Sequence, residues 1–176
     1  MEDLKKRKTP RWQKYDYNCA SVYFITICTK DRKCILSRVV GTGGLDCPKT
    51  DLTKYGEIAE KYINQINEFY DNISVEEYVI MPDHIHLLLW VKEGDVEDNC
   101  VRAGTSVSMN VARSNNGCSK IISTFKRFCN KEYGGNIWQD RFFDHIIRNH
   151  DDYLKHVEYI HENPIKWYYE KKQSEE

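Results

Sequence analysis

Two histidines separated by one aliphatic residue, His84-Ile85-His86, open an apolar run that continues through Leu87, Leu88, Leu89 and Trp90. Successive side chains of a strand alternate faces, so the imidazoles would share one face while Ile85, Leu87 and Leu89 share the other. One face would be buried and greasy, and the other would present two rings about 7 Å apart or less. Neutral imidazoles converging from one rigid strand can hold a divalent cation when a third ligand comes from elsewhere. The plainer alternative is a pair of half-buried strand histidines bonded to their neighbours, and the spacing alone leaves both open.

A second set of polar groups lies toward the C-terminus. Asn149-His150-Asp151-Asp152 reads as a helix start, and Pro164 is expected to end or kink that helix near Asn163. Tyr153, Val157 and Ile160 share the face to bury. Asp152, His156, Tyr159 and Asn163 recur at i, i+4, i+7 and i+11 as a stripe on a different face. Four hydrogen-bonding groups in one column exceed what solubility requires, although a rim tyrosine and a C-terminal asparagine would account for two of them.

The remaining elements must position these groups. Ser21 to Thr29, rich in β-branched and aromatic residues, reads as the first strand. From Asp51 the period changes to three and four through Tyr55, Ile58, Ala59, Tyr62, Ile63, Ile66, Phe69 and Tyr70, which predicts an amphipathic helix capped near Thr50 or Asp51. Ser74 to Ile80 is the second strand, Met81-Pro82-Asp83 a tight bend, and His84 to Lys92 the third strand. Residues 93–118 lack a sustained period and are expected to form a mobile insert. Ser119 to Tyr133 reads as a helix with Ile121, Ile122, Phe125, Phe128 and Cys129 on its apolar side, stopped by Gly134-Gly135. Lys120, Thr124, Arg127 and Lys131 line its polar side, a solvated face unless a DNA path runs nearby. Ile137 to Arg148 alternates as a strand, with Trp138, Phe142 and Ile146 opposite Arg141, Phe143 and His145. Gly41-Thr42-Gly43-Gly44 is a turn without the Lys-Ser/Thr pair of a phosphate loop.

At 176 residues the chain makes one domain with a sizeable core, expected over 21–170 between a basic arm (1–20) and a polar tail (171–176). No apolar run approaches the ~20 residues of a membrane span and no charged-then-apolar leader opens the chain, so a soluble, cytoplasmic protein with no membrane partner is expected. Net charge is -1, which decides nothing about nucleic acid; its distribution says more, with Lys5-Lys6-Arg7-Lys8, Arg11 and Lys14 forming the arm. Seven cysteines, odd in number and without a Cys-x-x-Cys, argue against a disulfide framework or a zinc ribbon and read as reduced thiols.

Taken together, the sequence resembles the single-tyrosine HUH transposases, and within them the REP-associated tyrosine transposases. The resemblance is carried in the family's order by Lys14-Tyr15-Asp16-Tyr17, Tyr23 through Thr29, Leu52 through Gly56, Val79 through His86, Ile137 through Arg148 and Tyr153 through Pro164. It implies an α+β, ferredoxin-like antiparallel sheet with helices packed on it, the IS200-like fold. By the same resemblance His84 and His86 would bind Mg²⁺ or Mn²⁺, Asn163 would stand where relatives place a third ligand, and Tyr159 would be the nucleophile. Attack on DNA would give a 5′-phosphotyrosine and a free 3′-hydroxyl, and the stored bond would let another 3′-hydroxyl reseal the strand without ATP. His156, one turn before Tyr159, is expected to tune the phenol or to bond a phosphate.

The expected partner is single-stranded or hairpin DNA, with backbone contacts from Lys14, Lys120, Arg127, Lys131, Arg141 and Arg148. Trp12, Trp90 and Trp138 could stack on bases, although burial suits Trp90 and Trp138 better. Three other readings use the same residues: a non-catalytic hairpin DNA- or RNA-binding module, a hydrolase that activates water, and a rolling-circle-type nickase. A monomer is expected, with a dimer that swaps the tyrosine helix as the alternative. The chain stops twelve residues past Pro164, where many relatives continue, so a C-terminal DNA-binding tail is expected to be missing.

Overall fold

The structure, a computed structural model, describes residues 21–41, 48–92 and 117–174. The basic arm with Lys14 and Trp12, and the expected insert up to residue 116, lie outside them.

Four strands form the main sheet: β1 (Ser21–Cys28), β4 (Ile73–Ile80), β5 (His84–Val91) and β6 (Phe143–Ile146). Their order across it is β4-β5-β1-β6, every neighbour antiparallel. Helix α1 (Lys54–Phe69) connects β1 toward β4, and α2 (Gly117–Tyr133) precedes β6. This is the split β-α-β order of a ferredoxin-like fold, as expected. Two additions complete it: a hairpin of β2 (Ser37–Val40) and β3 (Lys49–Leu52), and a final helix α3 (His150–Ser174).

Strand pairing sorts the side chains into two faces. Tyr23 opposite Leu89, Ile25 opposite Leu87 and Ile27 opposite Ile85 put aliphatic and aromatic groups on one side. There they form the main core with Ala59, Ile63 and Ile66 of α1, Ile121, Ile122 and Phe125 of α2, and Trp138. Each fully buried aliphatic side chain stabilises the fold by roughly 1.5–3 kcal/mol. The other face carries Phe24 opposite Leu88, Thr26 opposite His86 and Cys28 opposite His84. Helix α3 covers it through Ile160, with Tyr153, Val157 and Trp167 packed around Val79, Met81 and Leu88. Both faces of β5 are therefore buried, but by different helices.

Four expectations give way to packing. The cap of α1 is Thr53, whose hydroxyl accepts from Gly56 N–H, because Lys49–Leu52 are drawn into the ladder with β2. Gly56 is required there, since a Cβ would stand 2.1 Å from the Leu36 carbonyl oxygen. The expected strand from 137 to 148 shortens to Phe143–Ile146. The Lys126 ammonium takes the carbonyls of Gln139 (2.7 Å) and Arg141 (3.1 Å), leaving Trp138 with a single bridge to Thr29. Pro164 does not end its helix: α3 runs on to Ser174. The lost backbone bond is outweighed by burial of Pro164 itself and by Trp167 beyond it, which packs into the second core. Trp138 is buried as expected, whereas Trp90 is 43% exposed near one end of the second face. No helix among the described residues is long and apolar enough to cross a membrane.

Candidate metal and tyrosine site

The second face of the sheet holds His84 and His86 side by side, ring centroids 4.5 Å apart, both buried. Each is oriented through Nδ1. The Asp83 carboxylate lies 2.5 Å from His84 Nδ1. An ionised carboxylate only accepts, so Nδ1 carries the proton and Nε2 keeps its lone pair. Thr26 Oγ1 lies 2.9 Å from His86 Nδ1. His86 Nε2 is buried and meets no hydrogen-bond partner among the described residues. Burial, then the charges of His84 and Arg32, pull the His86 pKa down to about 3, so its imidazole stays neutral.

The bend before His84 is pinned at three points. Thr29 N–H and hydroxyl donate to the Asp83 carbonyl (2.9 and 3.0 Å), Leu36 N–H donates to that of Pro82 (3.0 Å), and Met81 N–H to that of His84 (2.8 Å). Leu36 in turn accepts from Thr53 at the start of α1. The close approach at Gly56 therefore connects, contact by contact, to the carboxylate that aims His84.

Helix α3 crosses this pair. The Tyr159 ring lies 5.1 Å from that of His86, and Trp167, two turns on, lies 6.0 Å from that of His84. Asn163 is one turn from each on the same stripe, which brings it over the pair between them. It is 7% exposed and its amide has no hydrogen-bond partner among the described residues. Tyr159 is 40% exposed, so its phenol borders solvent, and the Lys166 ammonium stands 5.6 Å from its ring.

His156 is placed differently. Its ring packs on Phe24 (4.6 Å) and stacks on His145 (4.8 Å), while its Nδ1 lies 2.7 Å from the Asp152 carbonyl oxygen. Phe24 touches both His156 and His86, whose centroids are 4.6 and 5.0 Å from its own. Ligand atoms of His145, Asp152 and His156 all lie within 4.8 Å of one another. Structural bonds already occupy them: one Asp152 oxygen serves both His145 Nε2 and Arg148 N–H at 3.0 Å. Burial works against that carboxylate's charge, but these bonds hold its pKa below the usual range. This cluster ties β6 to α3, and the histidine pair is the better place for a cation.

Of the residues expected to contact DNA, Arg141 and Arg148 are exposed on either side of β6. Lys120, Arg127 and Lys131 are exposed on α2, whose apolar side packs in the main core, so the sheet lies between them and the histidine pair. Asp83, Thr26 and Arg32 went unforeseen. A carboxylate directly before a candidate ligand histidine was a readable cue for Asp83. Thr26 could be found only from the register of β1 against β5. Cys28, Cys34, Cys118 and Cys129 are free thiols, in accord with the reading of reduced cysteines.

No protein-family model matches the chain. An uncharacterised Haemophilus influenzae protein is 29% identical over 171 residues, covering 92% of this chain and 89% of its own length. A second H. influenzae protein, provisionally named a REP-associated tyrosine transposase, is 29% identical over 151 residues, covering 86% of this chain and 74% of its own. The Escherichia coli K12 REP-associated tyrosine transposase is 34% identical over 92 residues, 52% of this chain and 44% of its own. A solved structure of a REP-associated tyrosine transposase bound to a REP hairpin matches with a TM-score of 0.57 at 21% identity, over 94% of this chain and 74% of that one. In sequence the chain is similar to proteins named REP-associated tyrosine transposases, and in fold to the solved structure of one of them.

Proposed function

We propose that the chain is a metal-dependent single-strand DNA endonuclease and strand transferase that works through Tyr159. One observation carries the reading: a solvent-bordering phenol stands beside the buried histidine pair, against His86, whose Nε2 has no hydrogen-bond partner among the described residues. A buried unpaired nitrogen costs stability, and a ligand that it could bind would explain why it is kept.

The residues fit a divalent cation. His84 and His86 would hold it through Nε2 and Asn163 through its amide oxygen, a neutral donor set that leaves the ion's charge undiluted. Asp83 fixes the His84 tautomer; with Nε2 of His86 as ligand, Nδ1–H donates to Thr26 Oγ1. Bound Mg²⁺ or Mn²⁺ would supply Lewis-acid polarisation of a phosphate oxygen. Imidazole is a softer donor than the oxygens Mg²⁺ prefers, so Mn²⁺ is the better match.

The chain's own groups do the rest. Tyr159 loses its proton to water and its oxygen bonds to phosphorus as the bond to the 3′ oxygen breaks. That oxygen leaves as a 3′-hydroxyl, and the strand stays linked through a 5′-phosphotyrosine. An incoming 3′-hydroxyl reverses the step. The DNA is read as single-stranded or hairpin-forming, in keeping with the hairpin held by the structural relative. Arg141 and Arg148, exposed on either side of β6, are backbone contacts in this scheme, Lys14 of the basic arm is a further one read from the sequence, and Lys120, Arg127 and Lys131 would serve DNA that wraps to the far face. His156 acts through Phe24 on the placement of the phenol. The chain acts as a monomer.

The test is incubation with a single-stranded hairpin oligonucleotide and Mn²⁺, followed by a denaturing gel. A slower protein–DNA band is expected. Tyr159→Phe should reduce it by more than roughly 10³-fold while leaving DNA binding intact. Metal-dependent cleavage that survives in Tyr159→Phe with no protein-linked product would replace this reading with a water-activating hydrolase.

A further inference from the structure

The two ends of the histidine pair differ in what surrounds them. At His84, Asp83 holds the ring, Arg32 Nε holds Asp83 at 2.8 Å, and Trp167 packs alongside. At His86 the neighbours are Tyr159 and, on β1, Phe24 and Thr26. The Tyr159 ring lies 5.9 Å from that of Phe24 as well as 5.1 Å from that of His86, so the phenol stands over β1 and β5 together. Beyond β1 lies the edge strand β6.

Phe143 opens β6 and pairs with Thr26, which pairs on its other side with His86. Residues paired across antiparallel strands share a face, so one row of the site's face reads Phe143, Thr26, His86. His145, two residues on, shows the same facing, since its ring stacks on His156 of α3. Two strand spacings put the Phe143 backbone about 10 Å from that of His86. Phe143 is also the diagonal neighbour of Phe24, a separation that aromatic side chains bridge. Yet it joins neither buried cluster and is 57% exposed. Helix α3 packs through Ile160 and Val157 on Val79 of β4 and Leu88 of β5, and leaves this end of the row uncovered.

Single exposed apolar side chains are common and need no explanation. Phe143 stands apart by its place, in the row of His86 and with Arg141 and Arg148 exposed on either side of its strand. Trp90, exposed on the same face, is four residues along β5 from His86, about 14 Å away.

We propose that Phe143 is the platform on which the unpaired base beside the attacked phosphate stacks. A phosphate held between Tyr159 and the histidine pair has the row over Thr26 beside it, and the span to Phe143 is that from a phosphate to its base. Phenylalanine offers no hydrogen bond, so it takes the flat face of any base and fixes the strand without reading its sequence. The two arginines then meet flanking phosphates. This stacking rests on the proposed phosphotyrosine chemistry and adds to it the seat of one base.

The experiment measures binding by fluorescence anisotropy in the Tyr159→Phe background. The probes are the hairpin oligonucleotide that gives the wild-type adduct and versions of it with one abasic site at successive positions around the cleaved linkage. Phe143→Leu, which keeps the carbon but loses the ring, should weaken binding to intact DNA by about tenfold, and Phe143→Trp should restore it. At one position directly flanking the linkage, the abasic site should weaken the parent by the same factor and leave Phe143→Leu unaffected. Equal binding by the parent and Phe143→Leu would overturn the stacking. So would a penalty that persists at every abasic position, or a failure of Phe143→Trp to restore binding. A penalty cancelled only at a more distant abasic site would overturn the place beside the attacked phosphate. A change of oligomeric state in Phe143→Leu, read by light scattering, would give the ring to a second copy of the chain instead. A wild type that forms no Tyr159-dependent adduct would remove the stacking together with the reading beneath it. Adduct formation by wild type alongside any of the other adverse results would remove the stacking alone.

Discussion

Leu87 and His86 are adjacent in one strand, both buried, and treated in opposite ways by the fold. Leu87 enters a face where Ile25 is its cross-strand partner and Ala59 and Ile63 of α1 and Ile121, Ile122 and Phe125 of α2 belong to the same buried cluster. His86 enters a face where Nδ1 meets Thr26, Phe24 stacks on the ring and Nε2 has no hydrogen-bond partner among the described residues. The first face gains stability from every side chain it buries. The second gives some of that gain up, since a buried polar atom without a partner destabilises by about 1–3 kcal/mol. On the proposed reading, one strand separates stability from binding by the alternation of its side chains, and the rigid aliphatic face holds the imidazoles in place for the other.

If that separation is real, substitutions on the two faces should fail differently. The largest effect is expected from Leu87→Ala, which should lower unfolding free energy by about 2–5 kcal/mol in urea titrations and leave the adduct rate per folded molecule unchanged. A loss under about 1 kcal/mol would mean that the aliphatic face is not the stabilising one. Asp83→Asn comes next, with its effect on binding. It should weaken Mn²⁺ about 10–100-fold in a calorimetric titration while shifting the urea midpoint less than Leu87→Ala does. Unchanged Mn²⁺ affinity would reduce Asp83 to a counter-ion for Arg32.

Much of this division could be read from the chain. The His-Ile-His alternation placed both imidazoles on one face because strand periodicity leaves no other choice once the intervening residues are buried. The stripe of Tyr159 and Asn163 followed from helical spacing in the same way. What stayed hidden depended on contacts between distant segments. Thr26 faces His86 only through the register of two strands, and Arg32 reaches Asp83 only through a turn whose positive φ values its residue types do not announce. Periodicity also misled where a side chain from elsewhere intervened. The alternation from Ile137 to Arg148 was genuine, but Lys126 captures the carbonyls that would have extended the ladder. Pro164 was a fair stop signal until Trp167 found the second core beyond it.

The smallest expected effect is the sharpest test, because its sign differs from that of every other substitution. His86→Leu replaces the partnerless imidazole with carbon. In a chelating buffer the variant should be more stable than wild type by about 1 kcal/mol near pH 7, while losing Mn²⁺ binding. The difference should widen as the pH falls. Burial holds the His86 pKa down to about 3, whereas in the unfolded chain it titrates near 6.5. Below about pH 6.5 the unfolded state therefore takes up a proton that the folded state refuses, and the wild type loses up to about 1.4 kcal/mol per unit of further acidification from this group. Leucine removes that slope. Urea unfolding at pH 7 and pH 5 with chelator present measures both quantities. A variant less stable than wild type at both values would show that the imidazole's contacts with Thr26 and Phe24 outweigh its unpaired nitrogen, and the second face would then be built for stability after all.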